Sequence, residues 1–255
     1  MPLFSEQTRR EFQSELGLLD IKYNSLLLAM GGVSYSSPIA REFALHGFCR
    51  RWRLLRRAVE NVFRLLPLDH DEIPSDETRI DATINIQAIV FNVFGSLDNL
   101  AWIVVHERPI TDKTGALIHR SKVGLGPKCK EVRQALSPDM KDYLESISRW
   151  FDGLEDFRHA LAHRIPLYVP PYTVDPSRAQ DYENLSIQMD IAMREMDLET
   201  HKRLAAEQLN LAKFQPLYTH SLSEGAHQMV LHAQVLADFN TVNEIGNRML
   251  VELGR

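Results

Sequence analysis

Apolar residues recur along most of this chain three and four positions apart, the spacing of one face of an α-helix. The first such run covers residues 5–30 and is broken by Gly31-Gly32 and by the turn-forming stretch that ends at Pro38. The second covers residues 39–66 and closes at Pro67, with Trp52, Leu55, Val59, Val62, Phe63 and Leu66 on one side. The third covers residues 78–106 and stops before Pro109. A fourth is predicted over residues 137–164. Ser137 suits the N-cap, Pro138 the first helical position and Asp139 the positive end of the dipole, while Pro166 ends the run. Residues 221–253 form a last long amphipathic helix. Between the third and fourth runs, Gly115, Gly124, Gly126 and Pro127 mark a long loop or a short hairpin over residues 109–128. Residues 166–176 read as extended backbone. Leu185, Ile187, Met189 and Ile191 alternate at period two, which predicts a strand, and the residues from there to 214 read as helical. Strand signal is scarce, so the expected fold is a single all-α helical bundle over residues 1–255, with helical extensions at both ends.

The third run carries an anomaly. At about 100° per residue, Asn85, Asn92, Ser96 and Asn99 align as one polar stripe. Asp98 falls on the other side, among Phe91, Phe94, Ala101 and Val105. A carboxylate on an apolar face is costly unless it is paired. A partner is therefore expected for Asp98, either an arginine or histidine of another helix or a backbone cap.

Composition narrows the picture. The net charge of −5 over 255 residues argues against a generic nucleic-acid coat or a membrane-surface protein, while leaving room for a local basic site. Cys49 and Cys129 are two thiols with no CxxC pattern, and the N-terminus has no signal-like character, so a cytoplasmic protein without a disulfide scaffold is expected. The longest apolar run, residues 86–105, is interrupted by Asn92, Ser96, Asp98 and Asn99 and makes a poor membrane span. No cofactor is expected. Val123-Gly124-Leu125-Gly126 lacks the preceding strand and third glycine of a dinucleotide loop, and neither a phosphate loop nor a GxSxG is present.

Chemistry concentrates in Phe157-Arg158-His159-Ala160-Leu161-Ala162-His163-Arg164-Ile165-Pro166. Three readings stay open for it. In the plainest, the basic residues merely complement a helix C-terminus. In the second, Glu155, His159 and His163, at i, i+4 and i+8, share a metal ion, although no other cluster offers the remaining ligand. In the third, a ribose 2′-hydroxyl attacks its own phosphate while a histidine moves protons and an arginine stabilises the crowded negative charge. Arg158 and His163 lie roughly 140° apart on an ideal helix. They converge only if the helix ends between them or if a second chain completes the site.

The Arg158-His159-Ala160-Leu161-Ala162-His163 run resembles the signature of HEPN domains, an arginine followed after four to six residues by a histidine, with Asn, Asp or His directly after the arginine. Together with Ser96-Leu97-Asp98-Asn99-Leu100-Ala101, it is similar to a group of uncharacterised bacterial proteins carrying this motif. The resemblance implies an all-α bundle and a homodimer whose two motifs meet to form a composite, metal-independent endoribonuclease site. It makes Arg158 the phosphate-binding residue, His163 the proton-transfer residue and His159 the orienting one. Asp98 is not a family position, and its expected role is to aim His163 or Arg158. Members of the family without nuclease activity serve as RNA- or protein-binding modules or as toxin–antitoxin partners, so an antitoxin or another protein partner is a further expectation. Outside the motif, Arg50, Arg53, Arg57 and Arg64 form a stripe. It either tracks an RNA backbone or is a solvated face with Arg56–Glu60 and Glu60–Arg64 pairs. Trp52, on the apolar side, is expected in the core.

Overall fold

A computed structural model of the chain describes residues 4–70, 72–221, 224–225 and 227–254. Among these, strand is confined to two antiparallel pairs, β1 (Thr173–Val174) with β2 (Ala212–Lys213) and β3 (Leu217–Tyr218) with β4 (Met229–Val230). Everything else of regular structure is helical, and the fold is an all-α bundle.

The predicted first helix is two: α1 (Glu6–Gly17) and α2 (Leu19–Gly32), separated at Leu18. Ser5 caps α1 by accepting a hydrogen bond from the Thr8 amide. The break falls where burial starts. α1 has no buried residue, whereas α2 buries Leu19, Tyr23, Leu26 and Met30. The second predicted helix runs through as α3 (Pro38–Glu42), a π-helical segment (Phe43–Phe48) and α4 (Cys49–Leu65). Trp52 is wholly buried and stacks on Phe239 at 4.2 Å between ring centroids, so it belongs to the core as expected.

The central helix is α5 (Asp76–Glu107), capped by Ser75 and packed against α4 and the π-helical segment. Its most apolar window is long enough to cross a membrane by composition, but 61% of that window is buried inside the bundle. The crossing with the π-helical segment is close enough that a Cβ on Gly47 would lie 2.8 Å from Cγ of Asn99, which leaves room only for glycine. The polar stripe is used internally. Asn61 donates to Asn85 at 3.0 Å, Asn92 donates to the Ala88 carbonyl at 2.7 Å, and Asn99 accepts from Arg51 at 3.2 Å.

The fourth predicted helix is also divided. Ser137 caps α7 (Pro138–Ser146) by accepting from the Met140 amide, as its sequence foretells, and the chain bends at Ile147 before α8 (Ser148–His163). A short α6 (Lys130–Gln134) precedes them, and the 109–128 stretch is a loop that pairs Thr111 with Leu117 and carries a 3₁₀ turn at Arg120–Lys122.

Two expectations are corrected. Leu185 to Ile191 lie within helix α9 (Ala179–Arg194), not in a strand. The shielded positions are Tyr182, Leu185, Ser186, Met189 and Ala192, a helical spacing disguised because Ile187 and Ile191 stay exposed and mimic alternation. α9 folds back on α10 (Leu198–Leu209) through Met196, whose φ of 59° makes the turn. The last helix, α11 (Leu231–Glu252), starts ten residues later than predicted, because β3, β4 and a bridge from Tyr168 to Thr219 claim the preceding chain. Residues 222, 223 and 226 of that predicted helix lie outside the described residues.

α2, α4, α5 and α11 enclose the main core, and α8 lies against α5. α8 is fastened to α11 by the indole N–H of Trp150, which donates to the Asp238 carboxylate at 2.8 Å. Gln234 donates to the same oxygen at 2.7 Å.

Candidate functional site

α8 buries Phe151, Leu154, Phe157 and Ala160, and this register turns Arg158 along the α5 surface. Its guanidinium rests 5.1 Å from the centroid of the Phe94 ring, a cation–π contact. Among the described residues no hydrogen bond or ion pair engages Arg158, so its N–H donors are uncommitted.

Asp98 stands one turn beyond Phe94 on α5 and is half-buried. Burial pushes its carboxyl up to about 6, against the opposing pull of Arg158 and Arg51. Arg51 reaches this place by lying across Gly95, where any Cβ would collide with its guanidinium. The expected basic partners of Asp98 are therefore both nearby, but neither closes an ion pair with it, and among the described residues no donor hydrogen-bonds its carboxylate.

Arg158 and Asp98 open onto a cleft of about 430 Å³ between α5, α8 and the glycine-rich loop before α6. Phe94, Leu97, Leu125 and Phe151 give it apolar walls, while Arg120, Lys128 and His159 add polar edges. The loop is held down from beneath, with buried Leu125 giving its carbonyl to Arg133 Nε at 2.9 Å. Cys129 Sγ packs against Gly124, where a Cβ would come within 2.7 Å, and burial followed by the charge of Asp98 pushes the thiol up. Lys128 is already neutralised by Glu155, which accepts through both oxygens at 2.8 and 2.9 Å. Among the described residues, Arg120 and Arg158 are the arginines lining the cleft that form no ion pair.

The two motif histidines separate. His159 lines the cleft, 3.8 Å from Glu155. His163 is the exposed last residue of α8, its ring 6.1 Å from that of His159, and it does not line the cleft. The helix continues unbroken through His163, so no early ending brings His163 round to Arg158 within one chain. Among the described residues, no three His, Cys, Asp or Glu side chains converge as metal ligands would, and Glu155 is spent on Lys128.

Just beyond the motif lies a cluster that sequence reasoning missed. Arg164 bonds Asp156 and Glu224, and the fully buried His220 sits 3.2 Å from Asp156 and 3.4 Å from Glu224. Asp156 is held below the usual carboxylate range. Burial works the other way, but is outweighed by hydrogen bonds from Arg164 and His220. This cluster ties the end of α8 to residues 60 and 64 positions away, a separation that no local pattern encodes. In the arginine stripe, Arg50, Arg53, Arg57 and Arg64 are all exposed. Glu60 pairs with Arg56 at 2.8 Å and Arg57 at 3.4 Å.

No protein-family model, curated protein or solved structure matches the chain.

Proposed function

We propose that this chain is a HEPN-like, metal-independent endoribonuclease that works as a homodimer. The observation that carries the reading is Arg158, a half-buried arginine held by the Phe94 ring, with free donors facing a cleft. A structural arginine at that depth is ordinarily paired. One left unpaired is suited to receive an anion such as a phosphodiester.

In the reaction, the ribose 2′-hydroxyl attacks the adjacent phosphorus and the 5′-oxygen leaves. A cyclic 2′,3′-phosphate and a free 5′-hydroxyl result. Arg158 stabilises the extra negative charge on the phosphoryl oxygens, and His163 exchanges the proton, since imidazole is the side chain that does so near neutral pH. Arg158 and His163 diverge on α8, so the composite arrangement takes His163 from a second copy. His159 lines the same cleft as Arg158 and orients the bound strand. RNA is the substrate and the cytoplasm the compartment in this reading, with an antitoxin-like protein as a further partner.

The test is cleavage of labelled RNA in excess EDTA by wild type, Arg158→Ala and His163→Ala. Each variant alone should be inactive. Mixed in equal amounts and allowed to exchange subunits, the two should recover about a quarter of wild-type activity, because half the dimers then carry one intact site of two. Activity in Arg158→Ala alone refutes the reading. Recovery without activity in either parent supports the composite site.

A second reading, a non-catalytic binding module, is favoured by the α9–α10 hairpin, which leaves Ile187, Ile191, Met196, Leu198 and Leu209 exposed. It predicts a stoichiometric protein partner whose binding survives the Arg158→Ala/His163→Ala double substitution.

A further inference from the structure

Among the described residues no donor hydrogen-bonds Asp98, although it faces the cleft from a partly desolvated position. An ionised carboxylate only accepts hydrogen bonds, so whatever satisfies it must bring N–H or O–H groups. Arg158 and Arg120 line the same cleft and Arg51 adds its charge at Asp98, so a cationic ligand is disfavoured and an anionic one favoured. The donors must then be neutral and belong to a molecule with negative charge elsewhere. The apolar walls from Phe94, Leu125 and Phe151 suit a flat ring, and the volume of about 430 Å³ lies in the range of small-molecule sites.

Among the four RNA bases, only guanine offers two adjacent neutral donors, N1–H and the N2 amino group, on one edge. Adenine and cytosine place an acceptor beside their donor, and uracil flanks its single N–H with carbonyls. We infer that this cleft binds a guanine nucleotide unit, with Asp98 accepting both donors of the base edge and Arg158 and Arg120 attracting the phosphate. The inference rests on the ribonuclease reading only in giving that site a base preference, since the binding chemistry stands without cleavage.

The experiment is calorimetric titration of the full chain with GMP, IMP, AMP, CMP and UMP. A uridine oligoribonucleotide with one guanosine, and the same oligomer without it, complete the set. GMP should bind about tenfold or more tighter than IMP, which lacks the N2 amino group, and tighter still than the other three. Asp98→Asn, with a melting temperature no lower than wild type, should erase the GMP preference. The GMP–IMP comparison needs no variant and holds even if Asp98→Asn misfolds. If the guanosine oligomer binds more tightly than GMP, the site reads RNA; if GMP binds as well, it reads the free nucleotide. Equal binding of all five nucleotides, no binding at millimolar concentration, or an unchanged preference in a folded Asp98→Asn overturns the inference. RNA cleavage with no guanosine beside the cut sites sinks the base preference and leaves the ribonuclease reading standing. Selective GMP binding without cleavage does the reverse.

Discussion

Asp98 and Asp238 are both pushed up to about 6 by burial, yet they do opposite things in the fold. Asp238 is 3% exposed and accepts hydrogen bonds from Trp150 and Gln234, so its position is fully used in joining α8 to α11. Asp98 is less deeply placed, receives no hydrogen bond from the described residues and faces an open cleft beside an arginine that is equally unpaired. A buried carboxylate with partners is part of the scaffold. A half-buried one that faces a cleft without them stays open to a ligand's donors. The Asp98 side of α8 is the open face, and the Asp238 side is the face that holds the helix still.

Breaking each side should give opposite signatures. Arg158→Ala should abolish RNA cleavage, a fall of at least about 10²–10³-fold on the scale of losing one transition-state charge contact, with a stability loss of only about 1 kcal/mol from the Phe94 stack. Parallel rate and urea-unfolding measurements check both halves. Asp238→Ala should do the reverse, costing about 3 kcal/mol in urea unfolding by leaving the Trp150 and Gln234 donors buried and unmatched. The cleavage rate of the folded fraction should stay near wild type.

Asp98→Asn should be neutral or stabilising by up to about 1 kcal/mol at pH 7, a figure reduced for the carboxylate's partial solvent exposure. The sign follows from linkage. A folded-state pKa raised from 3.8 to about 6 means that the fold prefers the protonated acid. This group's contribution is therefore greatest below about 4 and is lost as pH rises to about 6. The advantage of Asp98→Asn over wild type should appear across that window and vanish at pH 4, as melts at a series of pH values would show. His232 gives both proteins a common background of opposite slope. Burial pushes it down to about 4 while it donates to the Leu66 carbonyl at 2.6 Å, so its contribution is lost as pH falls from about 6.5 to 4. The smallest effect belongs to the arginine stripe. Arg57→Ala should change stability by less than about 0.5 kcal/mol, since its pair with Glu60 is exposed. If RNA affinity fell severalfold in that variant, the stripe would join the substrate path.

What could be read in advance was whatever depends on neighbours in sequence. The Ser137–Pro138 helix start, the core position of Trp52 and the burden of a carboxylate at Asp98 follow from local spacing and capping chemistry. The breaks at Leu18 and Ile147 did not follow. Both interrupt runs of adequate helix formers, and the stop comes from where the next segment has to pack. The α9 misreading has the same origin, because Ser186 and Ala192 turn inward only once α10 covers them, while Ile187 and Ile191 remain outside.

By itself, the amino-acid order determined an all-α fold, the helix that carries Arg158, His159 and His163, and their divergence around its axis, because these are consequences of a 3.6-residue turn. Only the tertiary structure decided that Arg158 would rest on Phe94 with its donors free, that His159 rather than His163 would share its cleft, and that Asp98 would feel two arginines and bond neither. Those outcomes depend on how α4, α5 and α8 cross, down to the missing Cβ at Gly95 that admits Arg51. Contacts between segments about 50 or more residues apart are settled by packing, where volume and burial decide and local pattern has no say.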